Sequence, residues 1–170
     1  MLNKTHLFLA IFIVSTLFAS CSANDKGVEI NGIRWATANV ETPGSFAANP
    51  ESAGGFFSFD EAQTACPPGW RVPTLEEFQS LIDAAAGEWT TVNGVNGRFF
   101  GTAPHRIFLP ALGFYGNQAH VGVTGWYWSS SHYDSAYYAN IGWNLFFNST
   151  MSEMFRRNRA WGLKVRCVKE

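Results

Sequence analysis

Charge is scarce in this chain: Asp, Glu, Lys and Arg make up 15% of its 170 residues, and 12 basic residues stand against 13 acidic ones. A net charge of -1 gives no electrostatic reason to expect nucleic acid as a partner. Cysteine and histidine are few as well, at 3 and 4. They are too scattered for a zinc ribbon or an iron–sulfur cluster. Gly-x-Ser-x-Gly is absent, no Ser/His/Asp set has a recognisable context, and His105, His120 and His132 do not fall at metal-ligand spacing. The sequence therefore predicts no enzyme, no cofactor and no metal. Apolar residues are abundant, at 46% with 16% aromatic, which is enough for a core and argues against intrinsic disorder. The length suggests one domain.

The first segment reads as an address. Lys4 supplies a positive start, and Leu7 to Phe18 forms an apolar run of about a dozen residues. A bilayer span needs roughly 20. Phe18-Ala19-Ser20-Cys21 then resembles a bacterial lipobox, with Phe18 where leucine is usual. On this reading residues 1–20 are a lipoprotein signal peptide, Cys21 is lipidated, and residues 21–27 form a polar tether. An ordinary secretory signal with an incidental Cys21 is the alternative. Two or more acyl chains anchor a protein stably, where one is marginal. The expected place is the outer membrane or cell surface. The remaining cysteines, Cys66 and Cys167, would then sit in an oxidising compartment, where a pair more often bridges than stays free. A bridge closing a loop of that length stabilises by roughly 4–5 kcal/mol in the chain-entropy model. Two buried free thiols are the other possibility.

Val28 to Trp35 alternates apolar residues around Asn31-Gly32, a strong hairpin signal. Glu41 to Gly55 is rich in Pro, Gly, Ala and Ser and reads as loop. Ser58-Phe59-Asp60-Glu61 is a capping box that starts a helix from Phe59 to about Cys66, ended by Pro67-Pro68. Thr74-Leu75-Glu76-Glu77 is a second box. Leu75, Phe78, Leu81 and Ile82 continue it as a helical stripe to about Ala86, with Gly87 as cap. Glu76 and Glu77 are explained by that first turn rather than by paired acid–base chemistry. The second half gives short apolar runs separated by Gly or Pro: Phe99-Phe100, Ile107 to Leu109, Ala111 to Phe114, Gly125 to Ser130 and Leu145 to Phe147. Leu163 to Val168 alternates apolar and charged residues and reads as the last strand. Helices early and antiparallel strands later predict an α+β fold.

CPPGWRVPTLEEF (Cys66 to Phe78), LPALGF (Leu109 to Phe114), GWYWSSS (Gly125 to Ser131) and GLKVRCVK (Gly162 to Lys169) occur in order, preceded by WATAN (Trp35 to Asn39). Together they resemble the Fibrobacter succinogenes major paralogous domain, a family common in exported Bacteroidota and Fibrobacterota proteins. The resemblance spans nearly all of residues 28–170. It implies a C-type lectin-like domain, with two helices packed on antiparallel sheets and a long loop region. It also implies a Cys66–Cys167 link from first helix to last strand. Calcium-dependent members of that fold carry acidic loop and strand motifs. Here Trp143-Asn144-Leu145 has leucine where the carboxylate belongs, which argues against a calcium site.

What remains is a binding face. Ser129 to Arg159 is rich in Ser, Tyr and Asn, the composition of adaptable recognition surfaces. The candidate ligand-binding residues are Tyr133, Asp134, Tyr137, Tyr138, Asn140, Trp143, Asn144 and Arg156, and the expected ligand is a glycan or a protein. The same stretch resembles the variable segment of retroelement-diversified proteins. Arg156, Arg157 and Arg159 form a basic cluster that could grip an anion, pair with local acids or face solvent. Asp134-Ser135-Ala136 and Asn148-Ser149-Thr150 resemble glycosylation motifs. Trp35, Trp70, Trp126, Trp128 and Trp161 are expected in the core. A structural or assembly subunit of a surface complex is the competing class. A formylglycine-generating-type enzyme is the third.

Overall fold

The computed structural model describes residues 27–84, 87–133 and 137–170. The lipidation position Cys21, the signal segment and the tether as far as residue 26 lie outside them, as does Asp134; Gly27, expected in the tether, belongs to the first strand. Among the described residues the fold is α+β: mostly antiparallel sheet, with two short helices.

The Asn31-Gly32 turn joins β1 (Gly27–Ile30) to β2 (Ile33–Ala36), and both turn residues have positive φ, 51° and 76°. That conformation matches the twist of a two-residue hairpin. The stretch read as loop after it contains a small hairpin, β3 (Val40–Thr42) and β4 (Ser45–Phe46). Helix α1 covers only Phe59–Ala62. Its capping box forms as expected, with Ser58 and Glu61 exchanging side-chain and backbone bonds. Past Ala62 the backbone tightens: Thr64 N–H bonds Glu61 C=O and Ala65 N–H bonds Ala62 C=O, three residues back rather than four. The expected helix to Cys66 is therefore one α-helical turn followed by tighter turns.

Strand β5 (Trp70–Arg71) leads into α2 (Leu75–Asp83), where Thr74 and Glu77 form the second box. Arg71 pairs with Glu77 at 2.6 Å and holds that carboxyl below its usual range, with the Thr74 backbone helping. The helix ends at Asp83, short of the expected Ala86, and Gly87 follows residues outside the described set. Strands β6 (Glu88–Val92), β7 (Val95–Thr102) and β8 (His105–Pro110) form a three-stranded meander. Then come β9 (Leu112–Phe114), β10 (Asn117–Val121), β11 (Gly125–His132), β12 (Ile141–Phe147), β13 (Ser152–Asn158) and β14 (Val168–Lys169). Sheet order is β10-β9-β11-β12-β13 in the largest sheet and β1-β2-β14-β5 in the sheet that holds both ends of the domain. The expected last strand, Leu163 to Val168, is mostly irregular. Only β14 and single bridges at Leu163 and Lys164 pair with neighbours.

Strand β11 is the spine. Its side chains alternate sides, and both sides are covered. Trp126 and Trp128 enter one core with Phe59, Trp70, Val165 and Cys167. Tyr127 enters the other with Trp35, Phe78, Phe100, Leu145 and Phe147. Each polar tip is satisfied: Trp126 Nε1 donates to Thr124 Oγ1, Tyr127 OH to Pro110 C=O and Trp128 Nε1 to Phe57 C=O. The Cys66–Cys167 disulfide forms, with Cα atoms 6.1 Å apart, and ties the turn after α1 to the last segment. Trp35, Trp70, Trp126 and Trp128 are buried as expected. Trp161 is not: it lies on the surface, its ring 4.6 Å from Phe114.

The alternation in Leu163 to Val168 misleads in one respect. Lys164 and Arg166 look like solvent-facing positions, yet they are 1% and 0% exposed. Arg166 donates to Asn39 Oδ1 twice, at 3.1 and 2.8 Å, to Ala36 C=O and to Phe108 C=O, both at 3.1 Å. Burial lowers its pKa to about 10, and burial raises that of Tyr127 to about 12.

Candidate functional site

The Ser- and Tyr-rich stretch read as a binding face is largely sheet among the described residues. After β11, the segment 137–140 turns the chain into β12, which pairs along its whole length with β13. Tyr133 N–H reaches Ile141 C=O, and Ile141 N–H reaches Tyr138 C=O, which fixes the turn at the sheet end. Trp143 lies directly opposite Arg156 in that register. Cross-strand partners share a face, so the guanidinium and the indole meet.

The result is an aromatic cluster around a cation. Arg156 Cζ stands 4.7 Å from the Tyr133 ring centre and 5.5 Å from that of Trp143. Tyr133 in turn packs edge-on against Trp143 at 5.7 Å and tilts against Tyr138 at 6.1 Å. A guanidinium over a ring is worth about 0.5–1 kcal/mol at exposed sites, which is enough to bias the side chain toward the rings. Tyr133, Tyr138, Ile141 and Arg156 line an open cavity of about 420 Å³. Tyr138 is 55% exposed and Tyr137 91%.

A second hollow of about 570 Å³ is lined in part by residues 139 and 140, which precede β12. Asn140, expected at the face, lines it with Ser58, Asp60, Asn158 and Arg159. Arg159 is paired with Asp60, donates to Ala139 C=O at 3.2 Å and lies 4.9 Å over the Phe59 ring. The first hollow offers an aromatic wall, and the second offers amide, hydroxyl and carboxylate groups.

Of the eight expected face residues, Tyr137 is exposed, Asn140 lines the second hollow, and Tyr133, Tyr138, Trp143 and Arg156 gather in the cluster. Asn144 does not. It is fully buried, with Nδ2 donating to Phe155 C=O at 3.2 Å. Adjacent strand residues point to opposite sides, so Trp143 facing out obliges Asn144 to face in. The basic cluster separates for the same reason. Arg156 joins Tyr133 and Trp143, whereas Arg157 stacks on Phe155, Trp126 and Trp161 at 4.3, 4.4 and 5.2 Å, and burial lowers its pKa. Asp60 and Ile141 were not readable as site residues. Asp60 carries only a helix-start signal, and its approach to residues 139–160 is a long-range contact. Asn148 accepts from Thr150 and Met151 N–H, so that sequon forms a tight turn. Among the described residues no three His, Cys, Asp or Glu side chains come together as a metal-ligand group. No helix among them is long and apolar enough to cross a membrane.

No protein-family model, curated protein or solved structure matches this chain.

Proposed function

We propose that this chain is a lipid-anchored surface protein whose domain, of the C-type lectin-like kind and related to the Fibrobacter succinogenes major paralogous family, binds a ligand without catalysing a reaction on it. The observation that carries the reading is the Arg156–Tyr133–Trp143–Tyr138 cluster, with the hydrogen-bonding groups of Asn140, Asn158 and Asp60 lining a second hollow. Flat aromatic walls with adjacent hydrogen-bonding groups suit sugar rings, which present apolar C–H faces and polar rims, so a glycan is the favoured ligand and a surface protein the next. The Cys66–Cys167 link from the α1 segment to the last segment supports the lectin-like assignment. The lipobox-like Phe18 to Cys21 supports the anchor.

The test is a glycan-array and surface-protein screen with and without calcium. The expected result is calcium-independent binding that is lost in Trp143→Ala and Arg156→Ala at unchanged melting temperature. A second reading, a subunit of a surface assembly, is favoured by β13, beyond which no further strand lies among the described residues and which carries exposed Phe155. Silence in the screen from folded, disulfide-bonded protein would support that second reading, and a cross-linked partner recovered through Phe155 would establish it.

A further inference from the structure

A third cavity lies away from the aromatic cluster and shares no residue with it. It measures about 510 Å³, and its walls include Ala53, Phe56, Phe114, Tyr115, Gln118 and Lys164. Small-ligand sites of such size are mostly apolar with a few placed polar groups. The unusual member is Lys164. Its side chain is almost wholly buried, its Nζ donates to Gly54 C=O at 2.9 Å and lies 3.3 Å from the Phe56 ring centre. No carboxylate lies within ion-pair distance of it among the described residues, so the cavity wall carries a cation whose counter-charge is missing from contact. A buried ammonium in that state is costly unless an anion joins it. Phe56, which covers it, is 37% exposed and contacts Tyr115 at 5.9 Å, so one surface ring stands between the ammonium and the cavity.

The geometry points to a second binding site here, for a small molecule with an apolar or aromatic body and a carboxylate end. The body fills the cavity between Phe114 and Tyr115, and the carboxylate accepts from Lys164 Nζ where the Phe56 ring face now lies. This inference does not depend on the glycan reading.

The ammonium is also readily lost: burial lowers the Lys164 pKa to about 8, against a smaller opposing pull from Glu41 on β3. Glu41 is the charged group acting on it, and Tyr115 and His120, the latter packed behind Phe114, are the titratable side chains around the cavity. A carboxylate ligand should therefore bind with proton uptake above neutral pH.

The test is isothermal titration of the full-length chain with 3-phenylpropionate and its neutral amide. At pH 7 the acid should bind about tenfold more tightly than the amide, in line with one charge-assisted hydrogen bond. Raising the pH to 9.5 should bring the two together. Lys164→Met should equalise them at pH 7, and Ala53→Trp, placed at the exposed rim, should abolish binding of both. Trp143→Ala should leave both unchanged, which separates this site from the first. Equal affinities for acid and amide at pH 7, an acid preference that persists at pH 9.5, or no binding of either would overturn the proposal. Should Lys164→Met fail to fold, the pH series on the unaltered chain with Ala53→Trp decides alone.

Discussion

Replacing Arg166 by methionine tests how the interior is held. The guanidinium is fully buried and bonded only to neutral acceptors: the Asn39 amide oxygen, Ala36 C=O before it and Phe108 C=O on β8. It thus joins three separate segments. Removing it leaves three buried acceptors without this donor. At roughly 2 kcal/mol each that is a loss of about 6 kcal/mol. The substitution also removes a desolvated charge. Its pKa, lowered to about 10, corresponds to a penalty of about 3 kcal/mol in the native protein, which the variant escapes. The expected net loss is about 3 kcal/mol. Urea denaturation under oxidising conditions measures it, as a lower midpoint with an unchanged slope. Arg166→Lys should lose a similar amount, because one ammonium cannot reach all three acceptors. Combining Arg166→Met with Asn39→Ala should be less than additive, by about 1–2 kcal/mol, since the two share bonds. A neutral or stabilising Arg166→Met would refute the reasoning. It would place this residue with buried charges that an apolar side chain replaces at no cost.

Further outcomes follow from other parts of the molecule. Because Lys164 has a native pKa below its unfolded value, the unfolded chain holds the proton more tightly between about pH 8 and 10. Stability should therefore rise with pH across that window, by up to ~3 kcal/mol from this group, as denaturation at pH 7 and 9.5 would show, and Lys164→Met should flatten the slope. Replacing Cys66 and Cys167 with alanine should lower stability by roughly 4–5 kcal/mol, from the closed loop of 101 residues separation, read by the same melts. Gly142→Ala should cost ~1–3 kcal/mol, because its Cβ would stand 2.3 Å from the Phe59 ring.

Local signals transferred well from sequence to structure. Both capping boxes form, and Asn31-Gly32 turns its hairpin. An Asn-Gly pair that the sequence reading did not single out, Asn93-Gly94, turns β6 into β7 with φ of 48° and 83°. Gly125 to Ser130 is the central strand expected from its aromatics. What sequence did not show is which faces are covered. Alternation in Leu163 to Val168 is real, but both sides of that segment are interior, so Lys164 and Arg166 are buried by neighbours far away in the chain. Trp161 shows the reverse case. A large aromatic can stack on a surface ring instead of entering the core. At the candidate site, the Tyr-rich composition located the face, while the pairing of β12 with β13 selected its members. Register kept Trp143 and Arg156 and removed Asn144, while the ion pair with Arg159 holds Asp60 of the first helix against this region.

The sheet that contains β1, β2 and β14 places Gly27 opposite Ala36 and Val168 opposite Trp35. With strands roughly 5 Å apart, the entry and exit of the domain are separated by only about two strand spacings. The domain therefore opens and closes at a single spot on its surface. Neighbouring ends are the geometry under which insertion into a host loop, or tandem linkage, is tolerated, and here one small sheet supplies it.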